Sequence, residues 1–390
     1  MRSFVFFGRL VSEKGFHLLF PFFDAVIEKK RAKMAVFGDG ELKTEFLSHF
    51  SGRAGFFDFR SLADSQCALR FRNLPQGSVA YFGRRNFSAI GETLPTCDVS
   101  LMPSTFLETF GLSALESLSY GVPVAGFSKG GIVPFLLDER LRLPESGGFV
   151  EALESLADLP DSAIADWKGD CARIATEYSR DAFRNRLRSL LPEGAAKILL
   201  VTDFTGNIGG IETYVANLAA TLAGFGYEVR TVGKEGGFVT KFDKAFSTLA
   251  AFANFRAGNE LRTVLKEFSP DVVWCHSVLR RYGARGIDPV FEVPAFRIMT
   301  YHDLGYFAPF AAACRSDADV PHPGFFPLVR CARGIVRKAF AILKYLKLRD
   351  IFARLSRFDL HLVPSDFMIP FVRERFPEGS PVVTLPHYVP

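Results

Sequence analysis

The chain of 390 residues is long enough for two domains of similar size, and its 48% hydrophobic content can bury both cores. A net charge of +5 is too small to require a nucleic-acid partner, and no apolar run reaches the roughly 18 residues of a membrane helix. The six cysteines contain no CxxC pair, which argues against structural zinc and favours a reducing cytoplasm over secretion.

Short apolar runs alternate with longer helical patterns through the first half. Five runs are predicted as buried strands, at 3–8, 33–38, 78–83, 98–103 and 122–127. Continuous apolar strands separated by helices predict a parallel sheet covered on both faces. From about Gly147 to Leu191 the pattern is helical.

A Pro/Gly break at LPEGAAK precedes a fresh buried strand, and we place a domain boundary there. The second half repeats the alternation, with strands predicted at 197–203, 227–232, 271–276, 295–302 and 359–365. We therefore expect an α/β fold of two Rossmann-like, doubly wound domains facing a cleft, residues 1–192 and 193–390.

The stretch PSTFLETFGLSALESLSYGVPV places Glu108 before a predicted helix and Glu116 within it. The amides of Phe110, Gly111 and Leu112 would lie between the two carboxylates. Eight helical residues rise about 12 Å, roughly the span from sugar to ribose in an extended nucleotide sugar. Such a ligand would satisfy both carboxylates and place a diphosphate on the helix amino terminus. The alternative from spacing alone is a pair of ordinary first-turn and surface glutamates.

Two cations precede the first helix at the same predicted sheet edge. FFGRLVSEKGFHLL ends its strand at Gly8 and then presents Arg9 and Lys14, where open α/β sheets bind ligands. Arginine can bind a phosphate through two parallel hydrogen bonds, and lysine supplies a point charge. Without the neighbouring motifs, Arg9 and Lys14 would be interpreted as two solvated residues of a loop.

Together these segments resemble the sugar-nucleotide-binding half of retaining glycosyltransferases of family four, which have the GT-B fold. The similarity runs through FFGRLVSEKG, VFGDGELK, VAYFG…CDVSLMPS, ETFGLSALESLSYGVPV and GGI. It implies that Glu108 contacts the transferred sugar, Glu116 the ribose, and Arg9 and Lys14 the diphosphate. It also implies a nucleotide diphosphate sugar as donor, no required metal ion and no further cofactor.

The second half resembles the other, acceptor-side half of the same fold. In AKILLVTDFTGNIGGIETYVANLAATLAGFGYEV, Gly209 and Gly210 stand where the backbone must approach phosphate or acceptor closely. In MTYHDLGYF, His302 matches the family histidine that faces the reacting sugar. We interpret His276 and Asp303 as structural residues.

The donor-binding half precedes the acceptor-side half, which reverses the family's order. A circular permutation cut in the interdomain linker explains the order, because both halves are then present once. A piece of a tandem protein, in which the halves belong to two successive enzymes, would look identical.

The segment 329–358 carries nine Lys or Arg residues against one acidic residue, Asp350. An apolar stripe repeats at helical spacing between them: Ala341, Tyr345, Leu348, Phe352 and Leu355. A basic amphipathic helix can lie on anionic lipid, which would suit a lipid-carried acceptor. The alternative is a helix that packs this stripe on its own domain.

The resemblance implies a retaining glycosyltransferase of hexosyl type that uses a hydroxyl acceptor in bacterial-type polysaccharide or glycolipid synthesis. Its partners would be the nucleotide sugar and a carbohydrate or lipid-linked acceptor, in the cytoplasm or at the inner face of the membrane. The alternative is a tandem fragment or an inactive module that binds a nucleotide sugar. A nicotinamide-dependent oxidoreductase is disfavoured, because neither half has GxGxxG after its first strand.

Overall fold

The computed structural model describes residues 2–206, 210–236, 254–308, 314–320, 334–376 and 381–389. This described part divides into two compact units. The first contains residues 2–182, and the second contains most of the described residues between 183 and 386. The short segments 315–317 and 387–389 belong to the first unit.

The described residues of the first unit form a seven-stranded parallel sheet with helices between the strands. Its strands are β1 (Arg2–Phe7), β2 (Ala32–Phe37), β3 (Phe56–Asp58), β4 (Val79–Gly83), β5 (Val99–Met102), β6 (Val124–Phe127) and β7 (Arg142–Leu143). Its helices are α1 (Phe20–Lys29), α2 (Lys43–Phe50), α3 (Cys67–Arg72), α4 (Phe87–Thr93), α5 (Leu112–Ser119), α6 (Phe149–Ala157) and α7 (Asp161–Glu177), and α8 (Arg180–Leu190) leads into the second unit. The strand order is β3-β4-β2-β1-β5-β6-β7.

The strand predictions for this half are confirmed. They coincide with β1, β2, β4, β5 and β6 to within two residues at each end. Every residue of β1, β2 and β4 is buried, as expected for strands covered on both faces. Phenylalanines fill much of this core, and the ring centroids of Phe16 and Phe46 lie 5.1 Å apart. The short strands β3 and β7 were not predicted.

The strand order sets the position of the candidate site in the first unit. Strand β1 pairs with β2 on one side and with β5 on the other. The chain therefore winds away from β1 in both directions, and the loops that leave β1 and β5 lie side by side. In open α/β sheets this reversal is where ligands bind.

The second unit has the same kind of sheet. In its described residues the strands are β8 (Lys197–Thr205), β9 (Glu228–Glu235), β10 (Val272–Cys275), β11 (Phe296–Thr300), β12 (Leu360–Val363) and β13 (Val382–Thr384). The helices are α9 (Gly210–Ala223), α10 (Phe255–Phe268), α11 (Ile335–Leu355) and α12 (Ile369–Arg375). The parallel order β13-β12-β11-β10-β8-β9 places its reversal between β8 and β10. The five strands predicted here coincide with β8 to β12.

The division between the units falls ten residues earlier than the expected boundary after residue 192. It follows Ala182, at the start of α8. The guanidinium of Arg188 in this helix lies 4.3 Å from the ring centroid of Phe225 in the second unit. The Pro/Gly break marks the end of the helix, whereas packing decides which unit the helix joins.

The apolar stripe predicted for the basic segment is largely buried. Ala341, Leu348 and Leu355 are buried, and Arg354 of the same helix pairs with Asp288 at 2.6 Å within the second unit. A different set of apolar residues in α11 is exposed: Ile335, Ile342, Leu343 and Leu346. Among the described residues, no helix combines the length and apolar composition needed to cross a bilayer.

The backbones of the loops that leave β1 and β5 approach each other closely at Gly15, and replacing Gly15 tests the importance of this contact. Its φ is +68°, and a Cβ would lie 1.8 Å from the carbonyl oxygen of Pro103. We expect Gly15→Ala to lower the free energy of unfolding by about 2–5 kcal/mol in urea denaturation, from backbone strain and overpacking together.

The matched control is Gly52→Ala. Gly52 has a similar φ of +82°, but nothing lies within 4 Å of the Cβ position. Its expected cost is backbone strain alone, about 1–2 kcal/mol. Equal losses in the two variants would show that the approach to Pro103 contributes nothing.

Candidate functional site

An ion pair links the loops after β1 and β5. The ammonium Nζ of Lys14 lies 2.5 Å from Oε1 of Glu108, and their side chains are 19% and 12% exposed. The hydroxyl of Ser104 donates to the same carboxylate oxygen at 2.7 Å. The structure thus brings together two residues that the sequence placed at one sheet edge from separate motifs.

Backbone contacts hold these loops in register. The amide of Thr105 donates to the carbonyl oxygen of Glu13 at 2.8 Å. The GGI motif packs on the same segment, because the amide of Gly131 donates to the carbonyl oxygen of Glu108 at 2.6 Å. A Cβ on Gly130 would lie 2.6 Å from that oxygen, so only glycine permits the approach.

Helix α5 begins directly after this segment. Gly111 precedes it with φ +90° and has no side chain with which to cap the helix. The first amides of an α-helix have no acceptor inside the helix, and the helix dipole adds positive potential there. The 12 Å rise expected between the glutamates does not apply. Residues 108–111 are not helical, since the left-handed Gly111 starts a new direction.

Glu116 lies in the second turn of α5 and is half-buried. Burial raises the pKa of its carboxyl group to about 7, and the nearby charge of Lys14 acts in the opposite direction. Among the described residues, its carboxylate has no hydrogen-bond or ion-pair partner. At neutral pH this carboxyl group is therefore close to half-ionised, and its oxygens can accept hydrogen bonds from a ligand.

The remaining members of the predicted site in the first unit differ in exposure. Arg9 is exposed and makes no ion pair with the described residues, whereas Phe110 is buried. A small pocket, partly open to solvent, is lined by residues that include Lys14, Ser104 and Ser113. The pocket lies where β1, β5 and the first turn of α5 meet.

In the second unit, two histidines follow neighbouring strands. His276 follows β10 and His302 lies just after β11. Nδ1 of His276 is 3.1 Å from Nε2 of His302. The ring of Tyr214 in α9 stands edge-on to His302, with centroids 4.9 Å apart. Burial lowers the pKa of His276 to about 3. Sequence reasoning treated His276 as structural and did not detect this pairing.

The sequence patterns did not identify Asp203 as a candidate functional residue. It lies in β8 and accepts hydrogen bonds from the Ser277 hydroxyl and from the amides of Arg280 and Arg281. Burial raises the pKa of its carboxyl group, although these donors favour the charged form. The carboxylate organises the loop after β10, which begins with His276. A polar residue at the end of an apolar run was the only sequence signal.

The other predicted positions in this unit have local roles or lie outside the described residues. Gly210 is the first residue of α9, and Gly209 is not among the described residues. The carboxylate of Asp303 accepts a hydrogen bond from the amide of Gly305 at 2.7 Å and caps a short turn. Among the described residues, no three metal-ligating side chains converge.

In comparisons with known proteins, a glycosyltransferase family model matches part of each unit. The family model described as "Glycosyl transferases group 1" matches residues 2–159, and "Glycosyltransferase Family 4" matches residues 208–390. An uncharacterized glycosyltransferase of Methanocaldococcus jannaschii is 26% identical over 165 residues, which are 42% of this chain and 36% of that protein's length. These matches support a glycosyltransferase.

Solved structures show weaker similarity. The catalytic domain of cholesterol-alpha-glucosyltransferase from Helicobacter pylori is 18% identical, with 46% of this chain and 99% of that chain covered and a TM-score of 0.35. HepE of Anabaena in complex with UDP-glucose is 19% identical, with 48% of each chain covered and a TM-score of 0.32. WaaG, a glycosyltransferase involved in lipopolysaccharide biosynthesis, is 16% identical, with 50% of this chain and 48% of that chain covered and a TM-score of 0.34.

The raised pKa of Glu116 predicts a pH-dependent cost to stability. The folded state keeps the carboxyl group protonated up to about pH 7, whereas the ordinary pKa of glutamate, which applies to the unfolded chain, is 4.5. The unfolded state therefore releases its proton first, and the stability contribution of Glu116 falls as the pH rises from 4.5 to 7.

Glu116→Gln removes this cost. We expect its free energy of unfolding, relative to wild type, to rise by about 1–3 kcal/mol between pH 5 and pH 8, a range discounted for partial solvation. Urea denaturation at both pH values measures it, and exposed Glu92→Gln is the control. A difference that does not change with pH would contradict the assignment.

Proposed function

We propose that this chain is a retaining glycosyltransferase of the GT-B fold that moves a hexosyl group from a nucleotide diphosphate sugar to a hydroxyl acceptor. The observation that carries the proposal is the Lys14–Glu108 contact directly before the amino terminus of α5, with the unpartnered Glu116 carboxylate in the next turn. Cation, helix amides and carboxylate are the groups that a diphosphate and a ribose require.

The diphosphate is assigned to Lys14, Arg9 and the amides of Phe110 to Leu112. Negative charge grows on the diphosphate as its oxygen separates from the anomeric carbon. Lys14 is already held by Glu108, so its ammonium does not need to be ordered at that moment. Preorganised donors of this kind stabilise a transition state more than flexible ones. They supply the positive charge that the reaction needs, so we propose no metal ion and no further cofactor.

The carboxylates are assigned to hydroxyl groups. Glu116 accepts hydrogen bonds from the ribose hydroxyls in its ionised form. Glu108 accepts from hydroxyls of the transferred sugar through the capacity that Lys14 and Ser104 leave free. A negative charge beside the sugar also favours the positive charge that develops at its anomeric carbon.

His302 is assigned to orient the sugar, and Gly209 and Gly210 to allow close approach of the backbone. The acceptor oxygen forms a bond to the anomeric carbon, the bond from that carbon to the diphosphate breaks, and the acceptor proton passes to the diphosphate. We assign no covalent nucleophile. These roles rest on the resemblance and on the family match over residues 208–390.

The two halves follow one another in reverse of the family's order, which we interpret as a circular permutation. The support is that one glycosyltransferase model matches each half. The alternative is a fragment of a tandem enzyme, or an inactive module that binds a nucleotide sugar and does not transfer it.

Donor binding should depend on ionised Glu116. We expect UDP-glucose or GDP-mannose to bind the full chain about 10- to 100-fold more tightly than the Glu116→Gln variant at pH 8, because a charged hydrogen bond is lost. Since the pKa of Glu116 is about 7, wild-type affinity should fall up to about tenfold from pH 8 to pH 6. Isothermal titration measures both effects.

These ligands suit the test because their diphosphate does not titrate between pH 6 and pH 8. The Glu92→Gln control should retain the wild-type affinity and pH dependence. A Glu116→Gln variant with wild-type affinity would remove the ribose assignment. Release of UDP or GDP by the full chain separates the enzyme from the binding module: binding without release over a panel of acceptors supports the alternative.

A second surface, on α11, is relevant to the kind of acceptor and to the location of the protein in the cell. The exposed apolar residues of α11 lie beside exposed Lys338 and Arg349. Because the surrounding segment is strongly basic, we propose that this face touches anionic lipid at the cytoplasmic side of a membrane. That location would fit a lipid-linked acceptor in glycolipid or polysaccharide synthesis.

Vesicle flotation tests this surface. We expect the full chain to float with phosphatidylglycerol vesicles and not with phosphatidylcholine vesicles, and the double variant Leu343→Gln/Leu346→Gln to lose most of the floating fraction. Leu69→Gln is the control, because Leu69 is an exposed leucine of the first unit. Equal flotation by both variants would contradict the assignment to α11.

A further inference from the structure

We infer that His276 is a positioning residue that sets the tautomer of His302, so that His302 presents an N–H donor at Nδ1. This inference deepens the proposed function, because it rests on the assignment of His302 to a sugar hydroxyl. It adds the protonation state in which His302 acts, and the residue that decides it.

The ring of His276 is fully buried. Its Nδ1 faces Nε2 of His302 at 3.1 Å, with 25° between the ring planes. Its face stacks on Trp274 at 5.6 Å between centroids. The indole N–H of Trp274 donates to the hydroxyl of Thr300 at 2.8 Å. The His276 ring is therefore held on one side by a fixed indole and on its edge by His302.

The backbone of His276 is fixed as well. Its amide donates to the carbonyl oxygen of Val201, and its carbonyl oxygen accepts from the hydroxyl of Tyr306. The same hydroxyl accepts from the amide of Val278 at 3.1 Å. These contacts fix the backbone from which the ring projects, and the stacking on Trp274 fixes the plane of the ring.

Burial keeps His276 neutral, with a pKa of about 3, so its ring carries a single N–H. Its Nε2 is buried and has no hydrogen-bond partner among the described residues. A proton on Nε2 would leave a buried N–H donor unsatisfied. Buried N–H groups without a partner are rarer than under-satisfied acceptors. The favoured form therefore carries its proton on Nδ1 and donates it to His302.

This donation decides the state of His302. Its Nε2 accepts the hydrogen bond, so the neutral ring carries its proton on Nδ1. A doubly protonated His302 would need an acceptor at Nε2, and His276 could accept only by moving its proton to the unpartnered Nε2. The hydrogen bond from His276 therefore favours a neutral His302 ring that donates from Nδ1.

The test is a spectroscopic measurement on the full chain that needs no substrate. Nitrogen-15 labelling of the seven histidines and two-bond proton–nitrogen spectra distinguish the Nδ1–H and Nε2–H tautomers, and His302→Gln assigns the signal. We expect the Nδ1–H tautomer for His302 in the wild type. We expect His276→Phe to convert it to the Nε2–H tautomer, which a free imidazole favours.

The matched control is His361→Phe. His361 is also a buried histidine, with Nδ1 3.0 Å from the hydroxyl of Tyr301 and Nε2 without a partner among the described residues. We expect this variant to leave the His302 tautomer unchanged. An Nε2–H tautomer in the wild type would overturn the inference even if no variant folds, and so would an Nδ1–H tautomer that persists in His276→Phe.

Kinetics provide a second readout. We expect His276→Phe to lower kcat at least about tenfold with little change in donor affinity, and His276→Asn, whose amide can replace the Nδ1–H donor, to recover most of the loss. Absence of turnover in the wild type would count against the proposed function alone, because the tautomer is measured without substrate.

Discussion

The ion pair between Lys14 and Glu108 is the interaction on which the first unit's candidate site depends. The two residues are separated by 94 positions in the chain, and they meet because β1 and β5 are neighbours in the sheet. Gly15 and Gly130 allow the backbones on either side to approach more closely than any side chain would permit. Removing one partner would leave the other charge partly buried and uncompensated.

The two units use the same sheet geometry for different chemistry. In the first, the strand-order reversal collects cations, helix amides and carboxylates, which suit a charged ligand. In the second, it collects two histidines, Tyr214 and the buried Asp203, which supply hydrogen bonds in an apolar setting.

Buried polar atoms in the second unit show where this arrangement costs stability. The ring nitrogen Nε2 of His276 and the hydroxyls of Tyr282 and Thr202 have no hydrogen-bond partner among the described residues. Unsatisfied groups of this kind each cost about 1–3 kcal/mol. At His276 this loss of stability accompanies the contact with His302, whose tautomer we infer that His276 sets.

The sequence by itself determined ten of the thirteen described strands and the location of α5. The strands follow from the local hydrophobic pattern, since burial of a strand on both faces requires a continuous apolar run. The candidate residues at the carboxyl edges of the sheets came from the motifs and their resemblance to a known family. Only the tertiary structure decided that Lys14 pairs with Glu108, that His276 faces His302, and that α11 exposes Leu343 and not its predicted stripe. Each of these depends on which distant segments become neighbours. That choice is made by strand order and side-chain packing over the whole unit, which no local pattern contains.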